Sequence, residues 1–422
     1  MKCIIKNVLI LDTRSPFYKK KIDIEVDKGK IVRVDKNLAP DKSHRIVEGK
    51  ELILSTAFID INASSGEPFR LEAETLDSFI DTAGRGGFGY VCHMPGQGKY
   101  AQSKSDIAFL KSKNHTSICQ VFPIGNLTKN DNESVISAMM DMKQAGAVAF
   151  SDGNELTLSL GVLKNAMLYS QGFGGKLMLS PDKKGLSKKG QVNQGIMSLM
   201  LGYKGIPKEA EFMAVAEIIQ LAQYTNTEIL FLNITTPESL KLIGAANKEK
   251  KQFYTSISSL HLAFNEAVLN EYDTNYKLTP PLRSAKDQKT MIKAALDGKI
   301  DIVYSQHTPC TPEEKVLEFD LASHGVINLQ TSVLACIEAL GKDNIESCIN
   351  LMSTKPAEYL GIEMPVFEVG TIGSFTILDL NSSFEFNAKI NASKSINAPF
   401  LGKKFSSKVV GLISNGKQQF YN

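Results

Sequence analysis

Apolar positions in the first fifty residues recur at every second place or in short β-branched runs. The stretches "KCIIKNVLI" (2–10), "KIDIEVD" (21–27) and "KIVRVD" (30–35) read as strands, the last two joined by a hairpin turn at Asp27-Lys28-Gly29-Lys30. The same style returns near the other end in "GSFTILDL" (373–380) and "KVVGLISNGKQQFY" (408–421), where Asn415-Gly416 is a two-residue hairpin signal. Between these ends the pattern changes. Eight apolar runs, 57–61, 88–93, 117–122, 147–151, 176–180, 228–233, 252–257 and 301–305, alternate with stretches of helical period. One helix is expected over 131–146, opened by acidic residues and closed by Gly146. Another is expected over 208–225, with Pro207 just ahead of it. Eight strands alternating with helices over roughly 300 residues are what a (β/α)8 barrel requires. The expected fold class is therefore α/β: a TIM-type barrel over 55–361, with a small β-sandwich domain assembled from 1–54 plus 362–422.

Such a barrel carries its chemistry at the C-terminal ends of its strands. Directly after the eight runs come Asn62 and Ser64, Met94-Pro95-Gly96, Pro123, Asp152, Ser180, Asn233, Ser256 to Ser259, and Gln306-His307. Only one of these is a carboxylate. Amides and hydroxyls are weak neutral donors to zinc, and without a metal an attacking water keeps a pKa near 15.7. The six histidines, at 44, 93, 115, 261, 307 and 324, include no pair at i,i+2 or i,i+4, so no local metal-binding pair exists. Read from its residues alone, the mouth is polar and lacks a catalytic engine.

Composition narrows the classes further. Lys plus Arg (48) nearly balances Asp plus Glu (45), which gives no electrostatic case for nucleic acid or an anionic membrane. The first residues are too polar for a signal-peptide core, and no run reaches the ~20 apolar residues of a membrane span. Six scattered cysteines without a C-x-x-C pair fit buried thiols in a reducing compartment. A cytoplasmic protein is expected.

Several segments carry a family resemblance. "STAFIDINASSGEPF" resembles the Pro-Gly-Phe-Ile-Asp-x-His-x-His-x-Arg-Glu-Pro signature of class I dihydroorotases, in the amidohydrolase superfamily, and "GRGGFGYVCHMPG" resembles their Arg-Gly-Gly-Phe-Thr-x-Val-x-x-Met-Pro-Asn segment. "GIPKEAE", "KLTPPLRSAKDQKTMIKAALDGKIDIV", "HTPCTPEEK", "STKPAEYLGI" and "SKSINAPFLGKKF" follow in the family's order. The resemblance implies a barrel with a small β-domain built from both ends, a zinc centre and a place in pyrimidine biosynthesis.

The departures fall on the chemistry. Carried over position by position, the two histidines after the first strand become Asn62 and Ser64, and two later metal histidines become Ser180 and Asn233. The general-base aspartate becomes Gln306, beside a kept His307, and Asp152 is retained. The arginine that meets the substrate carboxylate corresponds to Gly66, and the two substrate asparagines to Gly96 and Thr279. The loss of a bidentate arginine alone removes roughly 1.5–3 kcal/mol of binding. The expectation is a degenerate dihydroorotase homologue with no intact catalytic residue and no zinc. It would be a homodimer acting as a structural partner, for example of aspartate carbamoyltransferase. The alternative is a cyclic amidohydrolase with a site rearranged around Asp152, His307 and His93. A third reading is a sensor whose emptied pocket, lined by Gly66, Gly96, Ser180 and Asn233, takes a neutral polar ligand. Asp152 and His307 also admit purely structural roles, as a turn cap and a hydrogen-bonding group, and His93 as a pocket wall.

Overall fold

The computed structural model describes residues 2–96, 101–129, 132–153 and 159–421. Eight parallel strands occupy the middle of the chain: Phe58–Ala63, Phe88–His93, Gln120–Gly125, Ala149–Phe150, Leu177–Leu179, Ile229–Phe231, Phe253–Ser258 and Ile302–Tyr304. Each pairs with the next in chain order, so the sheet winds without a crossover. All eight expected runs are present.

Side-chain alternation explains why the sheet closes. Ile59 and Ile61, Met178, Leu230 and Leu232, and Ile302 and Tyr304 belong to the cluster filling the barrel. Their neighbours Phe58, Leu177 and Leu179, Ile229 and Phe231, and Val303 lie in a second cluster shared with the surrounding helices. A period of two with both faces apolar is the signature of a parallel sheet covered on both sides. The seam between the eighth and first strands has a single ladder contact, Ala63 with His307, and the Ser64 N–H donates to the His307 carbonyl at 3.0 Å. Asp60 fastens the same seam: its buried carboxylate accepts from Ser305 N–H at 2.7 Å and from Asn62 N–H at 2.9 Å. Burial raises the Asp60 pKa, and those two donors pull against the rise.

Helices lie outside the barrel. The long helix Glu209–Thr225 ends on Asn226 in the left-handed conformation. The other expected helix is shorter than its pattern. Residues 132–136 form a strand against Thr128–Lys129, the helix runs only Met139–Ala145, and residue 131 lies outside the described residues. A local hairpin outcompetes the helical pattern there, since β-branched Val135 and Ile136 sit well in a ladder.

The terminal strands build a separate eight-stranded mixed sheet. It includes Lys2–Ile10, Lys21–Asp27, Lys30–Asp35 and Leu52–Thr56 from one end, and Phe375–Asp379, Lys408–Ser414 and Lys417–Phe420 from the other. Its core is Ile5, Ile24, Leu54, Phe375, Ile377 and Ile413, among others. Both expected hairpins form: Lys28 (φ 49) with Gly29 (φ 74), and Asn415 (φ 52) with Gly416 (φ 70), have the paired positive φ of a type I′ turn. The chain between Phe384 and Phe405 leaves this sheet and returns to the barrel mouth. There Ser393, Ser395 and Asn397 bond residues 73, 74, 308, 310 and 325. No helix among the described residues is long and apolar enough to cross a membrane.

Candidate functional site

The mouth residues separate into three groups. On the far side, Asn233 follows the sixth strand and Gln306 the eighth, both held at positive φ (55 and 62). Asn233 Nδ2 donates to Gln306 Oε1 at 2.9 Å, Gln306 Nε2 donates to the Thr279 carbonyl at 2.6 Å, and Asn233 Oδ1 accepts from Ser258 N–H at 2.9 Å. Three of the family's chemical positions thus form one neutral chain of amide hydrogen bonds. Ser180 is not hydrogen-bonded into that chain but shares with Thr279 at its end, and with Glu211, Arg283 and His324, the lining of a cavity of about 510 Å³.

On the near side, Asn62 and Ser64 end the first strand and are buried. Gly96 lies against Ser64, and among the described residues a Cβ there comes no closer than 3.6 Å, to Ser64 Cβ. Gly66 offers no such room. Its amide donates to Glu74 O and its carbonyl accepts from Arg70 N–H, so a Cβ placed there falls 1.8 Å from the Arg70 carbonyl oxygen. The expected emptied pocket therefore does not extend to Gly66, because the backbone of 66–74 has closed over the position. Nor do Gly96 and Asn233 line the cavity that Ser180 lines.

The three residues of the rearranged-site reading have other employment. Asp152 accepts from Leu127 N–H (2.9 Å), Thr128 N–H (3.1 Å) and the Thr128 hydroxyl (2.7 Å), as a turn cap does. His93 is fully buried, edge-on to Phe79, and its Nε2 accepts from the Ser65 backbone at 3.1 Å and lies 2.8 Å from the Ser65 hydroxyl. Burial lowers the His93 pKa to about 3, which leaves it neutral and a poor proton acceptor near neutrality. His307 accepts at Nδ1 from Asn328 N–H and Leu329 N–H, both at 3.2 Å. Its proton is therefore on Nε2, directed at Glu74 Oε2 at 2.6 Å.

Glu74 is absent from the sequence expectations. It is fully buried, receives His307 on one oxygen and the Ser393 hydroxyl on the other, and so ties the first barrel loop to the eighth strand and to the returning C-terminal segment. Glu211 and Arg283 are a second omission. The Glu211 carboxylate accepts from the backbone and hydroxyls of Thr235 and Thr236 and from Ser239, while Arg283 bonds Thr235, Asn193 and Glu211. Neither set is visible as local spacing, since the partners lie 24 to 319 positions apart.

Could these residues hold the zinc that the resemblance implies? The donor set does not fit. Asn233 and Gln306 spend their carbonyl oxygens on N–H donors, Asp152 serves the 127–128 turn, and Ser180 offers a neutral hydroxyl. Among the described residues, no group of three or more His, Cys, Asp or Glu side chains is placed to share an ion.

Comparison with known proteins places the whole chain among known barrels. The L-hydantoinase (dihydropyrimidinase) of Arthrobacter aurescens superposes with a TM-score of 0.83 at 19% identity over 100% of this chain and 97% of that one. A Thermus D-hydantoinase gives 0.80 at 18%, over 100% and 96%; at such identities the likeness shows the fold. Sequence relatives go further. A dihydroorotase of Pelotomaculum thermopropionicum is 32% identical over 406 residues, 96% of this chain and 95% of the relative, and one of Caldanaerobacter subterraneus is 30% identical over 427, covering 100% and 97%. No family model matches the chain. The chain belongs to the dihydroorotase family of the amidohydrolase superfamily.

Proposed function

We propose that this protein is a dihydroorotase-family scaffold that does not hydrolyse dihydroorotate, and that its role in pyrimidine biosynthesis is to support a partner such as aspartate carbamoyltransferase. The observation that carries the reading is the bonded chain Asn233–Gln306–Thr279. It puts neutral amides where the family's metal histidine and general-base aspartate belong and satisfies them with each other. A metal-dependent hydrolase must hold those positions open to an ion and a water; here they are cross-linked parts of the wall. The substrate side agrees, since the backbone around Gly66 excludes any side chain that could meet a carboxylate.

The amidohydrolase alternative would route a proton through Asp152, His307 or His93. The first two are committed to backbone and Glu74, and the third is held neutral far below its ordinary range. The test is dihydroorotate hydrolysis by the purified chain, with and without added zinc, beside co-elution with the cognate transferase on size exclusion. Absent turnover with co-elution is expected. Turnover at an ordinary family rate overturns the scaffold reading, and absent turnover without co-elution overturns only the choice of partner.

A further inference from the structure

Two helices of the barrel's outer layer, Pro237–Ala246 and Ala285–Leu296, leave a groove between them of about 670 Å³. It lies at the end of the barrel opposite the mouth. Its lining includes Asn247 and Lys251, from the connection into the strand Phe253–Ser258, and Asp297 and Lys299, from the connection into Ile302–Tyr304. Connections from helix to strand close a (β/α)8 barrel at the N-terminal ends of its strands. Nothing in the function above uses that end. Protein interiors leave few voids larger than a water molecule, whereas this volume falls within the roughly 300–1,000 Å³ of small-molecule sites.

The floor is apolar, and one residue keeps it open. Ile243 on the first helix and Ala294 on the second are buried, and Leu240 is half-buried. Gly244 sits inside the first helix, where alanine would hold the backbone better, and its φ is not positive. A Cβ there meets nothing within 4 Å among the described residues. Neither backbone conformation nor close packing therefore calls for glycine, and what the missing side chain does is leave the groove unobstructed.

The unmatched charge on the walls is positive. Lys241 on the first helix and Lys293 on the second both line the groove, and neither has an ion pair among the described residues. The two carboxylates that line it are already engaged: Asp301 takes Lys251 and the N–H and hydroxyl of Thr255, and Asp297 takes Lys299 at 3.4 Å. The matching occupant is slender, apolar along its length and anionic at one end. A helix of another protein, about 10–12 Å across, does not enter between two helices whose Cα atoms come within 8 Å of each other; a hydrocarbon chain does. We propose that this groove binds a long-chain monocarboxylate, its hydrocarbon chain against Ile243, Gly244 and Ala294 and its carboxylate at Lys241 and Lys293.

The test is calorimetric titration of the full chain with dodecanoate, kept below its micelle concentration. One saturable site is expected, with affinity rising roughly fourfold per methylene from octanoate to dodecanoate, as burial of the chain requires. Dodecyltrimethylammonium, with the same chain and the opposite charge, should bind roughly tenfold more weakly or worse. Two variants locate the site. Gly244→Leu fills the groove and should lower dodecanoate affinity by roughly tenfold or more, while raising the melting temperature, since leucine holds a helix better than glycine. Lys241→Glu with Lys293→Glu leaves the apolar floor intact and decides independently: it should weaken dodecanoate and remove the preference over the cation. Absence of saturable binding to the wild type overturns the proposal. So does binding that neither variant weakens, or binding that is equal for the two head groups.

Discussion

His93, His261 and His324 share one physical state: burial lowers their pKa to about 3, 4 and 4. In the unfolded chain each titrates near 6.5. Between about pH 4 and 6.5 the unfolded state therefore binds more protons, so this contribution to stability is complete above 6.5 and is lost as pH falls through the window. Urea midpoints should drop steeply from pH 6.5 to 4. His93→Asn keeps an acceptor for Ser65 without a titrating ring, so it should flatten part of that slope; an unchanged slope would show that His93 is not among its sources. The glycines make a paired test. Gly66→Ala drives a Cβ into the Arg70 carbonyl and should cost about 1–3 kcal/mol. Gly96→Ala meets nothing closer than 3.6 Å among the described residues and should stay within about 0.5 kcal/mol. Equal midpoints for the two variants would mean that the 66–74 backbone yields easily. Neither glycine's environment is legible locally: both read as lost substrate positions, and only the folded loop shows one closed and the other open.

At the level of elements, Glu74 makes the first barrel loop, the eighth strand and the returning segment of residues 386–403 one unit. Glu74→Ala leaves the His307 Nε2–H and the Ser393 hydroxyl without an acceptor and should cost about 2–4 kcal/mol in chemical unfolding. Limited proteolysis should cut the returning segment sooner in that variant; an unchanged pattern would show that its other bonds, those of Gln330, Ser395 and Asn397 among them, hold it. The eight strands could be read in advance because a short continuous apolar run is a property of neighbours along the chain. The strand at 132–136 could not, since its apolar residues satisfy a helical template as well as a ladder and the pairing with Thr128–Lys129 decides. Likewise, the sequence shows that His307 survives beside a lost aspartate. It does not show that a glutamate 233 positions away accepts the imidazole N–H, and that contact makes His307 a strut.

For the whole molecule, the proposed function separates scaffold from chemistry. The barrel closes at the Asp60 seam, both terminal hairpins form, and full-length dihydroorotase relatives match the chain at about 30% identity. On the proposed function, Asn233, Gln306 and Thr279, at positions where the family resemblance expects metal and substrate ligands, form a neutral bonded wall. Reversing this takes more than one residue. Gln306→Asp alone should give no dihydroorotase turnover and should lower stability by about 1–3 kcal/mol, because the carboxylate cannot donate to the Thr279 carbonyl as the amide does. The account rests on the claim that the barrel mouth does not hold zinc, and the most direct measurement is zinc per chain by elemental analysis after incubation with excess zinc and desalting. Far less than one zinc per chain is predicted. One or two retained zinc ions per chain, lost on mutating Asp152 and His307 together, would contradict it.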